Sequence, residues 1–199
     1  MIYLEQLKLK NHNYPGSRVL PLDHVFEFDD VNLFVGNQGT GKSTLLSLIQ
    51  KAGNEYVDFK ISNCTVKHGV ETRYFNSETD NPRITDPQMY ANMDGSNKPG
   101  IGMAGAIAAR FQSHGEVLAP FILKPLKSFK NTIIILDEPE AGLSIHNQYK
   151  VIDAIKVAVK NGNQLFIATH CYPLICRNDV YSFDTFEKMS GTKFIGKLQ

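Results

Sequence analysis

The stretch LFVGNQGTGKSTLL, residues 33–46, decides the fold of this 199-residue chain. An apolar run leads into a glycine-rich turn, and leucines at helical spacing follow a lysine and two hydroxyl residues. Gly36, Gly41, Lys42 and Ser43 have the spacing of a P-loop, whose glycines let backbone N–H groups turn toward phosphate oxygens. A helix that begins at the lysine adds the positive end of its dipole. The stretch therefore predicts a strand, a phosphate-binding loop and a helix.

The residues of the loop have separate predicted roles. Lys42 would reach the β- and γ-phosphates of a nucleotide, and the Ser43 hydroxyl would hold Mg²⁺. P-loops occur in kinases, GTPases, transporters and DNA-repair motors, so the loop alone does not choose among them. The candidate nucleotide-binding residues here are Gly36, Asn37, Gln38, Gly39, Thr40, Gly41, Lys42, Ser43 and Thr44.

Composition narrows the class of protein. The length, the 42% hydrophobic fraction and the 21% charged fraction predict a single globular domain over residues 1–199. The net charge of +1 gives no argument for nucleic acid. Cys64, Cys171 and Cys176 cannot all pair, so we expect a reduced, cytoplasmic compartment. The N-terminus lacks the apolar segment of a signal peptide, and no apolar run approaches the ~20 residues that span a bilayer, so we expect no membrane association.

Strands and helices alternate along the chain, which predicts an α/β fold with a mainly parallel central sheet. Helices are expected from Lys42, in MAGAIAARFQ and around residues 151–159. Residues 77–112 are interpreted as an irregular or helical insert because they are rich in proline and glycine. The predicted strands are residues 2–9, HVFEF, VNLFVG, VETRYFN, NTIIILDEP and QLFIATH.

Two acids follow the most apolar strand, in NTIIILDEP. Ligands bind at the carboxyl edge of parallel sheets, which places Asp137 to hold Mg²⁺ through water. Glu138 would then orient or deprotonate an attacking water. A solvated acidic turn is the alternative interpretation of this segment by itself, and the P-loop at the same predicted edge favours the metal and water roles.

Two further segments are candidates for contact with phosphate. His170 lies at the tip of QLFIATH, a strand expected beside that of Asp137, so it can face the γ-phosphate. A lone histidine after a strand is more often structural. Ser113 and Gly115, in FQSHGE, would offer a hydroxyl and an N–H to an anion at a helix start, although a simple helix cap explains this segment as well.

The order of these elements resembles the ATP-binding-cassette (ABC) ATPase superfamily. Gly36–Thr44 corresponds to its Walker A motif, and Ile133–Glu138 to its Walker B motif with the catalytic glutamate. Ala141–Ser144 corresponds to the D-loop, His170 to the switch histidine, and Ser113–Glu116 to the signature usually written LSGGQ.

The sequences of two motifs indicate a branch of that superfamily. DEPEAGLS and ATHCYPLI are similar to soluble ATPases of the SMC, RecF and overcoming-lysogenization-defect (OLD) type, and not to transporter subunits. YFNSETDNPR with SHGE resembles compact stand-alone ATPases of bacteria and phages.

The resemblance implies an ABC ATPase head with N-terminal antiparallel strands, ATP and Mg²⁺ as cofactors, and Lys42, Glu138 and His170 as catalytic residues. Two heads would sandwich two ATP molecules, with Ser113, Gly115 and Glu116 of one copy closing the site of the other. The implied partner is therefore an ATP-dependent second copy. A DNA-related or defence-related ATPase would also drive or gate a further partner. That partner would be an effector protein, a nuclease or DNA.

The chain departs from the family pattern at several positions. Gln38 replaces an asparagine, His114 replaces a glycine or serine of the signature, and Ser144 replaces the aspartate of the transporter D-loop. A glutamine is expected after the strand VETRYFN but is missing, with Glu78 the nearest stand-in and Gln88 a remote one.

Two alternative functions compete with an ATPase. A nucleotide-gated binding module with negligible turnover, docking an effector such as a nuclease, fits the altered signature and the missing glutamine. A small-molecule kinase is disfavoured by the Asp-Glu-Pro segment, by the strand-tip histidine and by the scarcity of arginines between the P-loop and Asp137.

Overall fold

The computed structural model describes residues 1–50, 57–61, 72–76, 119, 122–124 and 126–198. Residues 122–124 and 126–128 are helical, and a short 3₁₀ turn covers Ser17–Val19. The helices are α1 (Lys42–Gln50), α2 (Ile145–Lys160), α3 (Tyr172–Ile175) and α4 (Gly191–Gly196). The strands are β1 (Leu4–Leu9), β2 (Val25–Glu27), β3 (Val31–Val35), β4 (Val57–Ile61), β5 (Thr72–Asn76), β6 (Ile133–Asp137), β7 (Gln164–Ala168), β8 (Asp179–Ser182) and β9 (Glu187–Ser190).

A six-stranded sheet forms the centre, in the order β5-β6-β7-β3-β8-β9. All neighbouring pairs are parallel except β8 and β9, which form an antiparallel hairpin. Every residue of β6 and β7 is buried, as expected for strands covered on both faces. The predicted α/β fold with a mainly parallel central sheet is confirmed.

The register of the sheet brings the carboxyl ends of three strands, and with them the predicted Asp137, to one edge. Asp137 lies opposite Asn76 of β5 on one side and opposite Ala168 of β7 on the other. Because these are the last residues of three parallel strands, the side chains that follow them meet at the carboxyl edge. β3 ends at the same edge and leads directly into the glycine loop.

A second, antiparallel sheet has the order β2-β1-β4. It confirms the antiparallel strands at the N-terminus. Strand β4 was not predicted from the sequence, and its five residues complete the sheet on the far side of β1.

The core is divided by the central sheet, because successive residues of a strand point to opposite faces. Ile134 and Leu136 belong to the cluster on the side of α2, together with Ile152. Ile133 and Ile135 belong to the cluster that contains helix α1 and the N-terminal sheet. The two faces of one strand thus anchor α2 and α1 on either side of the candidate site.

Gln164 ties the two sheets together through its fully buried amide group. Its Oε1 accepts hydrogen bonds from the N–H groups of Tyr3 (2.9 Å) and Leu4 (2.8 Å). Its Nε2 donates to the carbonyl oxygens of Leu4 (2.8 Å) and Asp29 (2.9 Å). One side chain of β7 therefore satisfies four backbone groups of the N-terminal segment, as a buried amide requires.

The hairpin of β8 and β9 and the short helices α3 and α4 were not predicted either. The hairpin turn carries Phe183 and Asp184 to the glycine loop, so it belongs to the surroundings of the site. Within the part of the chain that the structure describes, no helix is both long enough and apolar enough to cross a membrane.

Candidate functional site

The glycine loop joins β3 to α1, as the sequence predicts. Gly36 has φ +138°, and a Cβ added there would lie 3.2 Å from atoms of both Phe183 and Asp184. Gly41 has φ +101°, and its Cβ would lie 2.7 Å from a methyl carbon of Val19. Both positions combine a backbone conformation that favours glycine with a lack of space, so the loop shape depends on them.

Lys42 is buried at the start of α1 with its ammonium group turned into the loop. Nζ donates hydrogen bonds to the carbonyl oxygens of Gly36 (2.8 Å) and Asn37 (2.7 Å). Burial lowers the pKa of Lys42, and the nearby carboxylates of Glu138, Asp184 and Asp137 oppose that shift. The loop therefore encloses a cation whose partners are mostly neutral carbonyls, a setting that suits an incoming anion.

The other predicted loop residues surround this lysine. Asn37, Gln38 and Gly39 are exposed at the tip, and Ser43 is exposed in the first turn of α1. The Thr40 hydroxyl donates to the Asn37 carbonyl oxygen (2.8 Å), which closes the loop internally.

Thr44 faces the N-terminal segment. A Cβ added at Gly16 would lie 3.1 Å from the Thr44 hydroxyl oxygen, so the turn before the 3₁₀ segment packs against the first turn of α1. Asp184 is a contact of the loop that the sequence did not reveal. Its Oδ1 accepts hydrogen bonds from the backbone N–H and from the side-chain amide of Asn37, both at 3.1 Å.

Asp137 is the last residue of β6 and is only 4% exposed. Its Oδ2 accepts hydrogen bonds from the Tyr74 hydroxyl (2.9 Å) and from the side-chain amide of Asn76 (3.3 Å). Burial, followed by the neighbouring charge of Asp137, raises the pKa of Tyr74, so the phenol stays protonated and keeps donating. Both partners lie on β5. Asn76 is the last residue of this strand, and the glutamine expected directly after the strand is missing from the sequence.

Glu138 adopts a left-handed backbone conformation with φ +51°. Such a conformation costs roughly 1–3 kcal/mol for a residue other than glycine and is frequent at functional sites. Its N–H donates to the Ala168 carbonyl oxygen (2.9 Å), which fixes the turn against β7. The carboxylate is 37% exposed, and its Oε1 lies 3.6 Å from Nε2 of His170, whose side chain is 49% exposed. The two predicted catalytic side chains therefore meet at the open edge of the sheet.

Glu140 is a second carboxylate of this edge that the sequence did not single out. Its Oε1 accepts a hydrogen bond from the backbone N–H of His170. Burial raises the pKa of Glu140, and the hydrogen bond from His170 opposes the shift. The contact joins the loop after β6 to the loop after β7.

Several predicted elements lie outside the described residues. They include the signature residues Ser113, Gly115 and Glu116, the neighbouring His114, and the two residues weighed as replacements for the glutamine, Glu78 and Gln88. The irregular insert 77–112 lies outside them as well.

The residues present fit a nucleoside triphosphate and Mg²⁺. The glycine loop is crowded at Gly36 and Gly41 and holds a buried ammonium group, which suits phosphate oxygens. Ser43 and Asp137 offer the oxygen ligands that Mg²⁺ prefers, with phosphate and water completing its shell. Among the described residues, no cluster of three or more His, Cys, Asp or Glu side chains could hold a metal ion.

A cavity of 480 Å³ lies elsewhere, at the amino ends of β3 and β8. Asp29, Asp30, Asp179 and Lys188 are among its lining residues. No residue of the glycine loop lines it, so it is separate from the candidate site.

No family model matches the sequence, and no curated protein matches it. Solved structures do match over nearly the whole chain. An inward-facing metal-chelate-type ABC transporter superposes with a TM-score of 0.62 at 17% identity, covering 97% of this chain and 85% of that one. This chain has the fold of an ATP-binding cassette.

Two further cassettes agree with this assignment of the fold. A dimeric ATP-binding cassette in a post-hydrolysis state, bound to ADP and phosphate, gives a TM-score of 0.54 at 16% identity, with 92% of this chain and 94% of that chain covered. A nucleotide-free cassette from an ABC transporter gives 0.54 at 16% identity, with 99% and 94% covered. The expected cassette fold is confirmed, whereas the SMC, RecF and OLD-like branch and the phage resemblance stay predictions.

Proposed function

We propose that this chain is an Mg²⁺-dependent ATPase that hydrolyses ATP in a site completed by a second copy. The observation that carries this proposal is the meeting of four side chains at one edge of a cassette-type sheet. Lys42 lies in the glycine loop, Asp137 and Glu138 end β6, and His170 follows β7. Each has the residue type that its position requires for binding or hydrolysing a nucleoside triphosphate.

Binding is assigned to the glycine loop and the start of α1. The N–H groups of the loop and the Lys42 ammonium group would hold the β- and γ-phosphates. Gln38 and Gly39 at the exposed tip, with Thr40 and Thr44, complete the cradle. Asp184 holds Asn37 in place through two hydrogen bonds and so maintains the loop shape.

Ser43 and Asp137 are the residues that would hold Mg²⁺. When bound, the ion would neutralise charge that develops on the phosphate oxygens. Tyr74 and Asn76 both donate to Oδ2 of Asp137, which orients the carboxylate. Asn76 thereby supplies a site-lining amide from β5, although it is shorter than the expected glutamine.

Glu138 is assigned as the base that orients a water molecule and accepts its proton. Its carboxylate is partly exposed, and its backbone is fixed by the hydrogen bond to Ala168. His170, 3.6 Å from that carboxylate, would steady it and would contact the γ-phosphate. Proton transfer to a positioned base contributes typically about 10²–10⁴-fold to a rate.

The second copy is inferred from the open site. Glu138 and His170 are exposed in one chain, whereas hydrolysis is favoured where bulk water is excluded. A similar cassette bound to ADP and phosphate is a dimer. In our proposal Ser113, Gly115 and Glu116 of the second copy close the site.

The sequences of two motifs support a proposal about the biological role of the chain. DEPEAGLS and ATHCYPLI favour the SMC, RecF and OLD-like branch, so we propose that a cytoplasmic single-domain head over residues 1–199 drives or gates a DNA-related or defence-related partner. That partner would be DNA, a nuclease or another effector protein.

Steady-state phosphate release tests the proposed activity. We expect the purified chain to hydrolyse ATP with Mg²⁺ and to lose that activity with excess chelator. K42A should weaken ATP binding by at least about tenfold, because it removes the Lys42 ammonium group. Among the described residues, this is the only ammonium group that lies in the loop. Nucleotide binding without measurable turnover, with or without DNA, would contradict the ATPase and favour a nucleotide-gated binding module.

A further inference from the structure

Glu140 combines two unusual properties. Its Oε1 accepts a hydrogen bond from the backbone N–H of His170, thirty residues away along the chain. Its Oε2 is buried and finds no hydrogen-bond partner among the described residues. A carboxylate with one unsatisfied buried oxygen is costly, because desolvation penalises its charged form. A neutral or apolar residue would avoid that cost, so the carboxylate needs a reason to be there.

We propose that Glu140 is a positioning residue that holds His170 beside Glu138. The inference rests on the proposed function, since it concerns the geometry of the same site. Glu140 touches neither nucleotide nor water in this assignment. It acts through the backbone of His170.

The strand pairing does not reach His170 by itself. The parallel ladder of β6 and β7 ends at Asp137 opposite Ala168, and the Glu138 N–H donates to the Ala168 carbonyl oxygen. Beyond that point, Thr169 donates its N–H to Phe34 on the other side, toward β3. The hydrogen bond from the His170 N–H to Glu140, beside an interaction of the Thr169 side chain with the same carboxylate, draws the backbone after β7 toward the loop after β6.

The imidazole of His170 gains little from packing. Its side chain is 49% exposed, and its Nε2 lies 3.6 Å from Glu138 Oε1. A side chain with so much freedom is placed mainly by the backbone that carries it. Fixing the His170 N–H therefore sets where the imidazole can reach.

The turn that carries Glu140 also carries Glu138. The Ala141 N–H donates to the Glu138 carbonyl oxygen (3.0 Å), and the Leu143 N–H donates to the Glu140 carbonyl oxygen (3.0 Å). The two carboxylates are two residues apart in this closed turn. Glu138 and Glu140 lie in the same closed turn. The hydrogen bond from the His170 N–H to Glu140, which we call the tether, therefore maintains the spacing between Glu138 and His170.

Amide exchange and kinetics together test this role. The variants are E140A, which removes the acceptor, and E140Q, whose amide oxygen can still accept from His170. E187A is the matched control, since Glu187 is exposed on β9. Hydrogen exchange of the His170 amide is followed by NMR in the nucleotide-free chain, and kcat and KM for ATP are measured with Mg²⁺.

We expect the His170 amide of E140A to exchange at least about tenfold faster than in the wild type. The kcat should fall at least about tenfold while KM stays within about twofold, because Lys42 and the glycine loop still hold the phosphates while His170 is displaced from Glu138. E140Q should restore both values toward wild type, and E187A should change neither.

Two results would overturn the inference. An unchanged exchange rate in E140A would show that Glu140 does not hold the His170 N–H. Faster exchange with unchanged kcat would show that the tether does not serve the reaction. If E140A does not fold, E140D takes its place, because its side chain is too short to keep this contact. Exchange of the His170 amide that is as slow in E140D as in the wild type would equally contradict the inference. A wild type without turnover would refute the proposed ATPase activity. The exchange rates would still show whether Glu140 holds the His170 N–H.

Discussion

The smallest scale at which this site can be tested is a single carboxylate, Glu138. It combines a left-handed backbone, partial exposure and an imidazole within 3.6 Å. The side chain is 37% exposed and belongs to neither apolar cluster. A residue kept in a strained conformation at a sheet edge is best explained by its chemistry.

Replacing Glu138 with glutamine should abolish turnover and preserve binding. E138Q keeps the size of the side chain and loses its basicity, so phosphate release should fall at least about a hundredfold. ATP affinity, measured by calorimetry, should stay within about threefold because Lys42 and the loop are intact. E187Q, at an exposed position, serves as the control. Turnover of E138Q close to that of wild type would exclude Glu138 as the base.

Glu140 predicts a pH-dependent stability. Burial raises its pKa above the ordinary value of 4.5, so the native chain binds more protons than the unfolded chain between that value and the raised one. Its contribution to stability is therefore complete below about pH 4.5 and is lost as the pH rises through the raised pKa. His170 and Cys171 are the titratable groups that face it from the neighbouring loop.

E140Q removes this titration. The stability of E140Q relative to wild type should increase as the pH rises above about 4.5 and then level off. Thermal unfolding between pH 4 and 8 measures the difference, and about 1 kcal/mol shifts the midpoint by roughly 2–4 °C in a chain of this size. A stability difference that does not change with pH would contradict the raised pKa.

At the scale of elements, the connection between the two sheets depends on Gln164. Q164A would leave two N–H groups and two carbonyl oxygens of the N-terminal segment without their partner. Unsatisfied buried groups cost roughly 1–3 kcal/mol each and do not add fully, so we expect a loss of about 3 kcal/mol in the free energy of unfolding.

Chemical denaturation of Q164A measures that loss. Q6A is the matched control, because the Gln6 amide bonds only the surface carboxylate of Glu27 among the contacts described. Its effect should stay within about 0.5 kcal/mol. Equal losses in both variants would mean that the N-terminal sheet does not depend on the buried amide.

The elements that the sequence predicted well share a strong local signal. VNLFVG and IIILD are continuous apolar runs, and the glycines between β3 and α1 specify one loop geometry. The order of motifs along the chain then placed Lys42, Asp137, Glu138 and His170 at one edge, and the structure brings them together there.

The missed elements lack such a signal. Strands β4, β8 and β9 have only four or five residues each, and β4 and β8 pair with β1 and β3, which are distant in sequence. The roles of Tyr74, Asn76 and Asp184 follow from strand order and from the hairpin beside the loop. Glu140 was missed because its contact spans thirty residues. Tertiary pairing, which no local pattern specifies, decides these contacts.

At the scale of the whole molecule, the decisive property is the open face of the site. The carboxylate and imidazole proposed as catalytic are exposed, and exposed apolar side chains follow closely along the chain. Ile145 is 70% exposed directly after the predicted D-loop, and Tyr172 is 63% exposed two residues after His170. In the proposed dimer a second copy covers this face, with ATP between the two chains.

The molar mass of E138Q with and without ATP is the most direct test of a shared site. One chain has a mass of 22.3 kDa, and light scattering after size-exclusion chromatography resolves one chain from two. Because E138Q binds ATP without cleaving it, Mg²⁺ and ATP should double the mass, whereas ADP should leave single chains, and K42A should stay single with either nucleotide. A mass of one chain for E138Q at saturating ATP would contradict an ATPase site built from two copies.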